Sequence, residues 1–149
     1  MNSALEVVGD PWSLLVVRDI AFSGKHTFGE FMASEERIAT SVLADRLGRL
    51  LKTGILAKVR SPTDARKDFY SLTDKGLSLI PALVELAKWG VSNDPEVVVN
   101  PFWVDNAQAD MAGLFQLIRN TVAAGGSVYR GDDSVVEQLK RATSNTAGS

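Results

Sequence analysis

Eight Lys or Arg side chains fall between Arg37 and Lys67: Arg37, Arg46, Arg49, Lys52, Lys58, Arg60, Arg66 and Lys67. Two acids, Asp45 and Asp64, share that stretch, so it carries +6 in a chain whose formal net charge is −2. Everything outside it therefore sums to −8. A concentrated run of ammonium and guanidinium groups is the chemistry of polyanion binding, above all of nucleic-acid phosphates. The overall pI of 5.4 conceals it by averaging the basic run with an acidic remainder.

Other chemistries find little support. Without cysteine there are no disulfides, thiolate metal sites or thiol redox sensors. A single histidine, His26, argues against a zinc site. There is no Gly-rich phosphate loop, and His26 stands in no identifiable nucleophile pattern. The carboxylate pairs Glu35-Glu36 and Asp132-Asp133 lie in polar turns, where solvation explains them. Neither enzyme activity, nor a metal, nor a cofactor is expected. The apolar runs fall far short of the ~20 residues that span a membrane. The start lacks a cationic flank before an apolar core, so no secretory signal is read there. A cytoplasmic protein with no membrane partner is expected. At 149 residues and 45% apolar, the chain can bury a sizeable core in one domain with an appendage.

The elements that must carry the cations follow from capping and periodicity. Ser3-Ala4-Leu5-Glu6 reads as a capping box opening a short first helix that Gly9 ends. Asp10-Pro11 opens a second, with Asp as N-cap and Pro at the first helical position, running to Ser23-Gly24. Thr27-Phe28-Gly29-Glu30 is another capping box, for a third helix to about Ser34. A fourth helix spans Ala39 to Thr53, closed by Gly54, with Leu43, Leu47, Leu50 and Leu51 as its buried stripe. Residues 55–60 alternate like a strand, Ser61-Pro62-Thr63-Asp64 turns, and Asp68 to Leu72 returns. Thr73 to Trp89 reads as a long helix ended by Gly90, with Pro81 bending or breaking it. Past Asn93-Asp94-Pro95, an amphipathic helix is expected from Asp105 to Ala124, with Ala107, Met111, Leu114, Phe115, Ile118 and Val122 on its apolar face. Ser134 caps a last short helix, and the tail frays from Thr143. The fold class is mainly α with a small β-hairpin: a winged helix-turn-helix domain over 1–91 and a helical C-terminal extension over 92–149.

With the Leu stripe inward, the fourth helix presents Thr40, Ser41, Ala44, Asp45, Arg46 and Arg49. A small, polar first turn can approach base edges in a major groove, and the arginines further along suit phosphates. Asp45 either accepts from a cytosine amino group or pairs with Arg49 at i+4. The hairpin brings Lys58 and Arg60 outward and Arg66 and Lys67 to its tip, where Asp64 can orient Arg66. Taken singly, each of these charges reads equally well as a solvated surface residue.

The segment from Leu5 to Asp19 (LEVVGDPWSLLVVRD) resembles the opening of the HxlR-type winged-helix transcription regulators. So do Phe28-Gly29-Glu30-Phe31, Val42 to Leu47, Leu50, Gly54-Ile55-Leu56, Tyr70 to Gly76, and the closing Leu86-Ala87-Lys88-Trp89-Gly90. The likeness covers roughly residues 4–91. The Asp64-Ala65-Arg66 wing also resembles the MarR-type wing, whose aspartate orients a DNA-contacting arginine. The resemblance implies a homodimer that binds a near-palindromic double-stranded operator and regulates transcription, as a repressor or an activator, repression being the expectation. It implies recognition-helix roles for Thr40, Ser41, Arg46 and Arg49, wing roles for Arg66 and Lys67, and a dimer built from the first helix and the helices after the wing.

Two departures stand out. Many relatives carry a Cys before the first helix, and this chain has none, which closes thiol sensing. Relatives often carry Arg where this chain has Thr27, and Lys25 or His26 is the candidate to supply that phosphate contact. Otherwise His26, a lone histidine before an N-cap, reads as a surface residue. Leu5, Trp89, Met111, Leu114, Phe115 and Ile118 are the expected dimer interface. Trp12 and Trp89 read as core or interface aromatics, or as the lining of an unknown small-molecule effector pocket. Phe102, Trp103 and Phe115 read as packing of the extension. The rival to DNA binding is a winged helix turned to protein partners, which the net negative charge and Thr27 favour and the +6 segment disfavours.

Overall fold

The computed structural model describes residues 1–61, 63–97, 100, 102 and 110–146. Pro62, Trp103, Ala107 and the start of the helix expected from Asp105 lie outside the described residues. The element order is α1 (Asn2–Val8), α2 (Pro11–Ser23), α3 (Phe28–Met32), α4 (Thr40–Lys52), β1 (Leu56–Arg60), β2 (Asp68–Leu72), α5 (Asp74–Leu77), α6 (Ile80–Asn93), α7 (Met111–Ala123) and α8 (Val135–Thr146). It is a winged helix-turn-helix with a helical C-terminal region. Among the described residues no helix is long and apolar enough to cross a membrane.

Local signals placed most of these boundaries. Asp10 caps α2 by accepting from the Trp12 and Ser13 amides at 3.1 and 3.0 Å. Gly24 ends that helix in the left-handed conformation, at φ 63°. The Thr27 capping box is complete, with Thr27 N–H donating to Glu30 Oε2 at 2.9 Å and Glu30 N–H to Thr27 Oγ1 at 3.3 Å. The Ser3 box does not form. Helix α1 begins one residue before Ser3, with Met1 as an N-cap that makes no side-chain hydrogen bond.

The helix expected from Thr73 to Trp89 is two. Thr73 caps the single turn α5, and α6 starts afresh at Ile80 with Pro81 in its first turn, where a missing N–H leaves no carbonyl unpaired. Gly90 does not stop α6, which continues to Asn93. Gly76 allows α5 to cross the base of the hairpin, since a Cβ there would sit 2.3 Å from the Ile55 carbonyl oxygen. The C-terminal helix is also longer than expected and remains helical to Thr146.

Two apolar cores result. The first joins Val16, Val17 and Ile20 of α2 to Phe31, Ile38, the α4 residues Leu43, Leu47 and Leu50, and the hairpin residues Leu56 and Tyr70. Each fully buried leucine in it contributes about 2 kcal/mol. The antiparallel strands pair Leu56 with Leu72 and Arg60 with Asp68, so the apolar end of the hairpin closes on this core. The second core gathers Ala21, Phe22, Leu77, Ile80 and Val84 with Phe102, Leu114, Ile118, Val122, Val128 and Val135. The extension is stitched to α2 by Val128 N–H to the Ala21 carbonyl (3.0 Å) and Tyr129 N–H to the Phe22 carbonyl (3.1 Å).

This corrects the expected dimer face. Leu114 and Ile118 are buried within the chain's own second core, and Met111 and Phe115 pack half-buried against it. The apolar stripe of α7 already has its partner.

Candidate nucleic-acid interface

Packing of Leu43, Leu47 and Leu50 fixes which face of α4 looks outward. Thr40, Ser41, Ala44, Asp45, Gly48, Arg49 and Lys52 are exposed. Of these, Gly48 was missed by sequence reasoning, and Lys52 was counted in the basic run but not placed on this face. Gly48 has no neighbour within 4 Å of where a Cβ would stand, so the face is open and low there. The N-cap, Ala39, supplies no side-chain hydrogen bond, so the first-turn amides of α4 have no side-chain cap.

Arg46 does not join that face. Its Nε donates to Asp10 Oδ1 at 2.9 Å, the same oxygen that caps α2. Burial pushes the Asp10 carboxyl up, but hydrogen bonds from Ser13 and then Arg46 outweigh it and hold the group below its ordinary value. The residue expected to meet phosphate instead clamps the recognition helix to the start of α2, 36 positions away in sequence. Asp45 pairs with Arg46 Nη1 at 2.5 Å rather than with Arg49, which corrects the expected i+4 pair.

The wing behaves as its sequence predicts. Arg66 Nε and backbone N–H both reach Asp64 Oδ1 at 3.1 Å, while the Arg66 side chain is 91% exposed. Those hydrogen bonds hold the Asp64 carboxyl below its usual value. The guanidinium is thus oriented without being covered. Lys58 pairs across the strands with Asp68 at 3.2 Å.

Residues 25–27 are corrected as phosphate contacts. Lys25 Nζ is held by Asp19 Oδ2 at 3.0 Å and Ser34 Oγ at 2.6 Å. Thr27 is used in capping α3. His26, far from being a surface residue, is 7% exposed and stacks on Phe69 of β2 with ring centroids 4.3 Å apart. Its Nδ1 lies 2.8 Å from the Tyr70 carbonyl, which can only accept, so Nδ1 carries the proton. Nε2 is buried and without a partner. In return, Tyr70 N–H donates to the His26 carbonyl at 2.7 Å. His26 therefore ties the wing strand to α3.

Asp19 is the centre of the network that positions the helix-turn-helix. It is buried, and it accepts from Arg18 (Nη2, 2.6 Å), Lys25 (3.0 Å) and Ser34 Oγ (2.5 Å). Burial raises its carboxyl, but hydrogen bonds from Ser34, then Arg18 and Lys25, outweigh burial and hold it low. Arg18 also donates to Glu36 at 2.6 Å. Helix α2 is thereby fastened to the end of α3 and to the turn before α4. Sequence reasoning assigned Asp19 no role, although a carboxylate among Val16, Val17, Ile20 and Ala21 is itself a signal: a charge in a buried run needs partners.

Trp12 packs half-buried against the first core, and the cavity beside it is about 20 Å³. That holds a water molecule, not an effector. Trp89 is 68% exposed and belongs to no core.

The fate of the cations separates the interface from the rest. Among the described residues, every Lys and Arg outside 37–67 except Arg130 is engaged with a protein oxygen. Within 37–67, the exposed side chains of Arg37, Arg49, Lys52, Arg60 and Lys67 make no such contact with the described residues.

Residues 7–97 match the family model described as HxlR-like helix-turn-helix. The chain belongs to this family. It is one of transcription regulators, not enzymes. An uncharacterized HTH-type transcriptional regulator of Mycobacterium tuberculosis is 38% identical over 90 residues, covering 60% of this chain and 56% of the relative. The matched region is thus little more than half the length of that relative. The crystal structure of PA1607, a candidate transcription factor, is 40% identical with a TM-score of 0.58, covering 64% of this chain and 67% of that one. A structure assigned to the MarR family of regulators, from Porphyromonas gingivalis W83, is 26% identical with a TM-score of 0.55, over 62% of this chain and 89% of that one.

Proposed function

We propose that this HxlR-type regulator binds double-stranded DNA sequence-specifically as a homodimer and represses transcription from the bound site. The observation that carries the reading is the concentration of unpaired cations on α4 and the hairpin, next to an exposed and sterically low first turn. Arg49, Lys52, Arg60, Arg66 and Lys67 supply phosphate contacts, which set affinity and salt dependence. Thr40, Ser41, Ala44 and Asp45 face the base edges.

The dimer is proposed from exposed apolar surface. Helix α1 has no fully buried residue and packs only Val7 and Val8 half-buried on the first core, while Leu5 is 60% exposed and Trp89 68%. Leu86, one turn before Trp89 on α6, is exposed as well. A two-fold axis through α1 and α6 buries these side chains and sets two recognition helices about 34 Å apart, on the half-sites of a near-palindrome.

The test is fluorescence anisotropy of the purified protein with the duplex upstream of its own gene and with a shuffled duplex, at several salt concentrations. Selective binding that weakens steeply with salt is expected. Binding to neither duplex, by a protein that captures a protein partner through α4, would transfer the interface to protein recognition.

A further inference from the structure

Arg37 stands in the turn between α3 and α4 with φ of 53°. Among the described residues it is the one non-glycine with positive φ. An L-residue in this region crowds its Cβ against the backbone, a penalty glycine escapes. The turn is pinned on both sides. Before it, Glu36 takes the Arg18 guanidinium at 2.6 Å, and Arg37 N–H donates to the Ser34 carbonyl at 3.1 Å. After it, Ile38 is buried in the first core. The backbone path is therefore imposed by the helix-turn-helix, and glycine would follow it with less strain. The position instead holds a long cation. That side chain is exposed and makes no hydrogen bond or ion pair with the described residues, so no contact of the arginine side chain with them offsets the strain.

We propose that Arg37 is a phosphate-contacting residue that fixes the N-terminal end of α4 on the duplex. The inference rests on the DNA-binding reading above. Arg37 precedes Thr40 by three positions and adjoins the exposed first turn, where a recognition helix reads bases. Arg49 lies toward the other end of the same helix. Phosphates held at both ends fix the rotation and depth of the helix in the groove, which one contact alone does not. Strained backbone is retained where function requires what the residue supplies, and here it supplies a cation at a rigid point.

The experiment compares Arg37→Gly, Arg37→Ala and Arg37→Lys with the wild type. Thermal melting is read alongside anisotropy titrations against a mixed-sequence duplex of about three helical turns, between about 50 and 200 mM salt. Arg37→Gly is expected to melt above the wild type yet bind several-fold more weakly, its log affinity against log salt shallower by about 0.9 per bound protomer. Arg37→Ala should lose the same slope, and Arg37→Lys should keep it. A variant that gains stability while losing binding cannot be explained by damage to the fold. Wild-type slope in Arg37→Gly and Arg37→Ala would overturn the assignment while leaving DNA binding intact. A wild-type protein that binds no duplex would overturn both.

Discussion

Arg46 and Arg49 occupy successive turns of α4, and the fold treats them differently. Arg46 leans inward to Asp10 and leaves its face of the helix, whereas Arg49 is exposed and unpaired. The contrast extends across the whole domain. On the inner side of the helix-turn-helix, charged groups are fastened to one another, Asp10 with Arg46 and Asp19 with Arg18 and Lys25, and the Ser34 hydroxyl also donates to Asp19. On the outer side, Arg49 and Lys52 of α4 and Arg60 and Lys67 of the hairpin are exposed, and Arg66 is aimed but uncovered. The same residue types build the scaffold on one side and await a polyanion on the other. Net charge reports neither, because a strut is told from a binding group by how far its partners cover it: Arg46 on Asp10 is 24% exposed, Arg66 on Asp64 91%.

The strongest way to break the inner region is at Asp19. Asp19→Asn removes the charge that holds Arg18 and Lys25 and is expected to cost about 1.5–3 kcal/mol, read by urea unfolding at neutral pH. The pH dependence has a definite sign. A carboxyl held below its unfolded value contributes stability above that value and loses it as pH falls through the folded one. The wild type should therefore lose stability below about pH 4 more steeply than the variant, and parallel acid limbs would show that Asp19 is not a paired carboxylate. Arg46→Met is next, with about 1–2 kcal/mol lost and the salt slope of DNA binding unchanged; a shallower slope would return Arg46 to the outer region. Arg49→Ala should reverse that pattern, with stability within about 0.5 kcal/mol and the salt slope shallower by about 0.9 per protomer on every duplex. A loss confined to one operator position would contradict its phosphate role. The smallest effect sharpens the outer surface. Gly48→Ala should stabilise the exposed helix by about 0.5–1 kcal/mol and weaken operator binding if that low point touches DNA. Unchanged binding would place the duplex elsewhere.

What was legible in the sequence was local. The Asp10 and Thr27 caps, the Leu stripe of α4, the hairpin and the Asp64–Arg66 pair each depend on residues a few positions apart, and each formed. Arg46 and His26 were misread because their partners are distant: Asp10 lies 36 positions from one, and the Tyr70 carbonyl 44 from the other. No spacing rule brings them together before the chain is folded. The stripe of α7 was legible as apolar but not as to its partner, since a helix cannot signal whether its apolar face meets its own chain or a second copy. Pro81 was seen as a break, but its position just inside a new helix depended on where α5 stopped.

Helix α2 belongs to both cores. Val16, Val17 and Ile20 lie in one, Ala21 and Phe22 in the other, along a single unbroken run of backbone. Neither core can melt without fraying the helix that the other needs, so the wing-bearing half and the C-terminal half should unfold in one cooperative transition. The amides in the middle of α2 then exchange with solvent only on global opening, and the C-terminal region acts as ballast for the reading head rather than as a detachable tail.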